Sequence, residues 1–171
     1  GYYSELSDLE FGEMFAGGIA TAVKAYKTSG SEMASAISAL GGTATSANVP
    51  LEEQLSVLGM LQATMSGSEA ATKYKALLNA ATGAGEKLGL NFLDANNQLR
   101  SLPEILGILK GKYGDTIDAV EKKQIKEAFG SDEAVAVIDL LYGKTGELQT
   151  GILDMYDALG GGSSAAQEMA T

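Results

Sequence analysis

Helix-forming stretches and helix-stopping glycines alternate along this chain, and that alternation limits the fold more than any other feature. As one unbroken helix, 171 residues would reach about 260 Å at about 1.5 Å per residue. Gly30, Gly41-Gly42, Ser66-Gly67-Ser68, Thr82-Gly83-Ala84-Gly85 and Gly130 interrupt any such rod. Glycine costs about 1 kcal/mol relative to alanine inside a helix and readily takes the left-handed conformation that ends one. The segments between these breaks must fold back on each other. The expectation is an all-α fold, a compact multi-helix bundle of about eight short helices with one small β-hairpin.

The apolar periods place the helices. Ser7-Asp8-Leu9-Glu10 is a capping-box pattern for a first helix running to Thr28, with Gly30 as its stop. Ser31 caps a second, with Met33, Ala36, Ile37 and Leu40 inward. Pro50 opens a third on Leu51, Leu55, Leu58 and Met65; Glu52 and Glu53 sit in its first turn, where the helix dipole favours anions. A fourth buries Ala70, Tyr74, Leu77, Leu78 and Ala81 until the 82–85 glycines break it. Later helices are expected over 103–113 (Ile105, Leu106, Leu109, Tyr113) and 115–129 (Ile117, Val120, Ile125, Ala128, Phe129). Two more start from Ser131-Asp132-Glu133 (Val135, Ile138, Leu141, Tyr142) and from Thr145 (Leu148, Ile152, Met155, Leu159). Much alanine and few aromatics predict a shallow core of closely packed helices.

Residues 88–104, LGLNFLDANNQLRSLPE, stand apart. Leu90-Asn91-Phe92-Leu93 is too short for a helix and too apolar for an open loop. Asp94-Ala95-Asn96-Asn97 is turn chemistry and Gln98-Leu99-Arg100 can return antiparallel, which gives the hairpin, with Pro103 opening the next helix. Read as a calcium loop, Asp94, Asn96 and Gln98 fill the first oxygen positions. Leu99 then falls where glycine is needed and Ile105 where the bidentate glutamate belongs.

Other candidate sites fail in the same way. Gly143-Lys144-Thr145 ends like a phosphate-binding loop, but Ile138 occupies the position of its first glycine and a helix, not a strand, precedes it. Gly83, Gly85 and Gly89 are out of register for a dinucleotide fingerprint. The acidic pairs Glu52/Glu53 and Asp132/Glu133 fall in first turns, and Asp154 and Asp157 face solvent. Asp118–Lys122 and Lys123–Glu127 are i,i+4 pairs of an exposed helix face. There is no histidine and no cysteine, so imidazole bases, thiolates and Cys/His zinc sites do not arise within the chain. No catalytic, cofactor-binding or metal-ligating residue is assigned, and no enzyme activity is expected.

The net charge of −10 disfavours nucleic acid and anionic lipid. The most apolar run, Ala134-Val135-Ala136-Val137-Ile138, stops at Asp139, far short of a membrane span. Residues 15–23 are also apolar, which gives a membrane-active reading some footing, but they too are too short to span. The chain begins at Gly1 and ends in a Gly/Ser/Ala-rich stretch, so the expected organisation is one helical module over 1–159, a linker-like tail over 160–171, and a longer parent chain. Tyr2 and Tyr3 are candidates for touching a partner.

Four blocks carry a resemblance to the core region of phage tail tape-measure proteins. They are NVPLEEQLSVLGMLQ (48–62), MSGSEAATKYKALL (65–78), LGLNFLDANNQLRSLPEIL (88–106) and FGSDEAVAVI (129–138). Each is weak alone; their order and spacing together carry the likeness. Two positions depart from the family's pattern, Ala71 and Asn97, where the family has glycine. The resemblance implies a non-enzymatic structural and assembly role in a bacteriophage or prophage tail, contributing to tail length determination. It implies partners among other phage tail proteins (tail tube, tail tip, assembly chaperones), with self-association as a further option. It places the chain in the tail interior of the virion, and in the host cytoplasm during assembly. The alternative reading is a helical protein-binding module of a bacterial protein unrelated to phage.

Overall fold

The computed structural model describes residues 8–160, so Ser7 of the first expected cap, Tyr2, Tyr3 and residues 161–171 lie outside the described residues. Its helices are α1 (Asp8–Tyr26), α2 (Gly30–Leu40), the single turn α3 (Thr43–Ser46), α4 (Leu51–Leu61), α5 (Gly67–Leu88), α6 (Leu102–Tyr113), α7 (Ala119–Phe129), α8 (Asp132–Leu141) and α9 (Thr145–Ala158). A short 3-10 turn, Tyr142–Lys144, joins α8 to α9. The all-α expectation holds.

Two helices organise the packing. The long α5 lies against α2, α7 and α8, while α4 lies against α1 and α9 and meets α5 between them. Residues 51–59 of α4 are all buried, including Glu52, Glu53, Gln54 and Ser56, so this helix runs through the middle of the molecule. An all-round apolar pattern is what such a position demands, and Leu55-Ser56-Val57-Leu58-Gly59-Met60-Leu61 supplies it without a charge. Alanines fill much of the interior: Ala22, Ala36, Ala44, Ala70, Ala71, Ala81, Ala84 and Ala134 are fully or almost fully enclosed.

Close approach is visible at Gly67. A Cβ there would run into the Glu32 carbonyl oxygen, so the start of α5 touches the α2 backbone directly. The same contact is stitched by the Glu32 carboxylate, whose Oε2 accepts the Gly67 amide at 2.6 Å.

Several local expectations are corrected. The first helix ends at Tyr26 and turns through Lys27 (φ 57°), not Gly30. Gly30 instead begins α2, and Ser29, not Ser31, is its cap, accepting the Glu32 amide. Met65 lies beyond the end of α4. The 82–85 glycines do not break α5, which continues to Leu88 and ends on the left-handed Gly89. Val120 is 69% exposed, and α7 starts only at Ala119, with Asp118 as its cap. Counted from Ile125, Val120 lies about 140° round the helix, off the buried face.

The hairpin is the largest revision. Among the described residues there is no strand ladder, only one isolated antiparallel bridge between Leu93 and Leu99. The Asp94 amide donates to the Gln98 carbonyl and the Arg100 amide to the Phe92 carbonyl, both at 2.8 Å. Pairing goes no further because Asp94 Oδ1 takes the Asn96 and Gln98 amides itself, and because α6 begins at Leu102. Side-chain capture of backbone amides competes with a ladder. Phe92 swings into the core instead, 2% exposed, against Gly85 of α5 and stacked near Phe129.

Candidate functional site

Two places carry polar chemistry that burial alone does not explain. The first is Glu53. It sits in the first turn of α4 behind Pro50, which offers no side-chain cap, and is 4% exposed. Its Oε2 accepts the backbone amide of Leu102 at 3.1 Å. Leu102 is the first residue of α6, so one carboxylate serves the positive ends of two helices, its own and a neighbour's. Burial nonetheless raises its pKa to about 7; the Leu102 hydrogen bond opposes that rise, and the Glu52 and Glu104 charges add to it. The Tyr74 hydroxyl is fully buried nearby without a hydrogen-bond partner, and its pKa is pushed well above the usual value by burial and by Glu53.

A carboxyl that titrates near neutrality suits acid–base work only if a substrate can reach it. Glu53 is enclosed by its own helix, by α5 through Tyr74 and by the start of α6, and it lines none of the described grooves. The arrangement fastens α6 to α4. Above it, Ser101 accepts the Glu104 amide and Arg100 reaches the Glu104 carboxylate at 3.3 Å.

The second place is an open groove of about 810 Å³ between the C-terminal ends of α1 and α4 and the first half of α9. Tyr26 forms its floor. The ring lies where a side chain at Gly59 would have to be and the hydroxyl where one at Gly151 would, so the two glycines make its slot. Its hydroxyl is the polar neighbour of the fully buried Ser56 Oγ, which makes no hydrogen bond of good geometry. Burial raises the Tyr26 pKa, the Ser56 hydroxyl offsets part of that, and the Asp154 charge adds to it. Met60 and Met155 give the walls apolar surface, while Lys27, Lys144, Glu147 and Asp154 contribute charges of both signs. Nothing here pairs a nucleophile with a base.

The sequence candidates fall elsewhere. Asp94 is committed to the amides of its own turn. Gly143 and Lys144 form the 3-10 turn ahead of α9. Asp132 and Glu133 are exposed in the first turn of α8, and Asp154 and Asp157 are exposed on α9. The Asp118–Lys122 pair is not formed: Asp118 closes a capping box with Glu121, and Lys122 reaches Asp139 at 2.9 Å. Among the described residues no group of three or more His, Cys, Asp or Glu is placed to hold a metal ion, and no helix is long and apolar enough to cross a membrane. Sequence reasoning missed Glu53 and Tyr26. The uncharged run after Gln54 was the available signal, since a helix enclosed on all sides encloses its first-turn acids as well.

No curated protein and no solved structure matches the chain. A family model described as phage-related minor tail protein matches residues 7–130, from α1 to the end of α7. That is well over half of the sequence, and the chain belongs to the phage-related minor tail protein family.

Proposed function

We propose that this chain is a non-catalytic, folded-back module of a tape-measure protein, contributing to tail length determination and tail assembly from the tail interior. The observation that carries the reading is the coincidence of the family match with helices that reverse at Lys27, Gly41, Gly89, Gly114 and Gly130, all with positive φ. A rod-like ruler has no use for such reversals. In this reading residues 1–159 are one module and 160–171 a linker within a longer ruler, and its partners are the tail tube, the tail tip and assembly chaperones.

In-frame deletion of residues 1–159 from the parent tail gene tests the idea, with tail length measured by electron microscopy. A folded module predicts failed assembly, or shortening far below the roughly 240 Å that about 1.5 Å per deleted residue would give. Shortening by that full amount would mean that the segment is part of the extended ruler.

A further inference from the structure

The outward face of α1 carries acids at its start, small residues in its middle and a base near its end. Glu10, Glu13, Gly17, Ala20 and Lys24 are all exposed and spaced three and four residues apart in alternation, which is the seam spacing of paired helices. They fall within about 80° of arc. A helix dipole by itself favours acids early and bases late. It does not account for glycine and alanine between them on a surface facing water, where polar residues are usual.

Glu13 and Lys24 are about 16 Å apart along the helix, too far to meet. The ion pairs include Arg100–Glu104, Lys122–Asp139 and Lys126–Asp132, and none shown among the described residues involves Glu13 or Lys24.

We propose that this face docks a second copy of the chain, α1 against α1, antiparallel about a two-fold axis between Gly18 and Ile19. In that register Glu13 of each copy faces Lys24 of the other, and Gly17 faces Ala20. An isologous contact of this kind repeats every pair twice. Glu10 is brought to the partner helix's C-terminal end, beside Lys27. Small residues at the crossing let the axes approach to about 8 Å. The charge pattern selects a second copy over another protein, because the face is complementary to itself when reversed and repulsive when parallel. One helix pair buries less than a standard interface of roughly 1,600 Å², so the dimer is weak and concentration-dependent.

Sedimentation equilibrium of the 171-residue chain, from micromolar to near-millimolar concentration, tests this. The wild type dimerises reversibly, less so at high salt. Glu13→Lys or Lys24→Glu alone weakens association roughly tenfold or more, because each reversal sets two like-charged pairs face to face; the double exchange restores it. Gly17→Glu abolishes it. A Cβ at Gly17 meets nothing within 4 Å, so that variant keeps its fold, checked by an unchanged or higher circular-dichroism melting temperature. A wild type that stays monomeric throughout, a dimer indifferent to Gly17→Glu, or no recovery in the double exchange overturns the proposal.

Discussion

Glu53 ties the stability of one helix junction to the protonation of one oxygen. Its pKa is raised to about 7 in the fold, against about 4.3 for an unperturbed glutamate. A raised folded pKa means that the native state binds the proton more tightly than the unfolded chain does. The associated stability is therefore fully present below about pH 4 and is lost as pH rises through about 7. The size is about 4 kcal/mol at about 1.4 kcal/mol per unit. Glu53→Gln keeps an acceptor for the Leu102 amide and removes the charge. Urea unfolding should find the variant close to wild type at pH 4.5 and more stable than it by up to about 4 kcal/mol at pH 8; a difference that does not change with pH would refute the account. Tyr26 supports a second prediction. Gly59→Ala forces a Cβ into the Tyr26 ring and should cost about 1–3 kcal/mol, as overpacking does. The same change in a Tyr26→Ala background should cost far less, and a double-mutant cycle measures that coupling.

At the scale of elements, the helix start at Ser131 was legible in the sequence, while α2 is capped by Ser29 in place of Ser31 and α7 starts after Asp118 in place of residue 115. Ser66, Ser101, Asp118 and Ser131 each accept the amide three residues on, the contact their residue types prescribe. The stops were harder, because a glycine inside a helix and a glycine ending one look alike until the neighbours are known. Gly83 and Gly85 stay helical since α5 is held by α2, α7 and α8, which outweighs about 1 kcal/mol each. Gly85 also admits Phe92, and that pairing has no sequence signature because it joins a helix end to a turn. Glu53 was illegible as a site for a similar reason: its partner, Leu102, lies in another helix. The glycines separate cleanly by experiment. Gly83→Ala, with open space around it, should stabilise the fold by about 0.5–1 kcal/mol. Gly67→Ala drives a methyl into the Glu32 carbonyl and should destabilise it by about 1–3 kcal/mol. Thermal denaturation of both variants checks the opposite signs.

For the molecule as a whole, a folded-back chain of this length should have a radius of gyration of about 16 Å in small-angle X-ray scattering, where an extended helix would measure several times more. The family model reaches only residue 130, yet α8 packs on α5 and α9 on α4, so the segments past the match are part of the same core. One feature of that core governs how it could be straightened. The amides that open α5 and α6 rest on acids contributed by α2 and α4, Glu32 on Gly67 and Glu53 on Leu102. Peeling one helix away thus strips the end of another. Under tension, such a chain holds its length until a threshold and then gives way several helices together, behaving as a catch rather than as a spring.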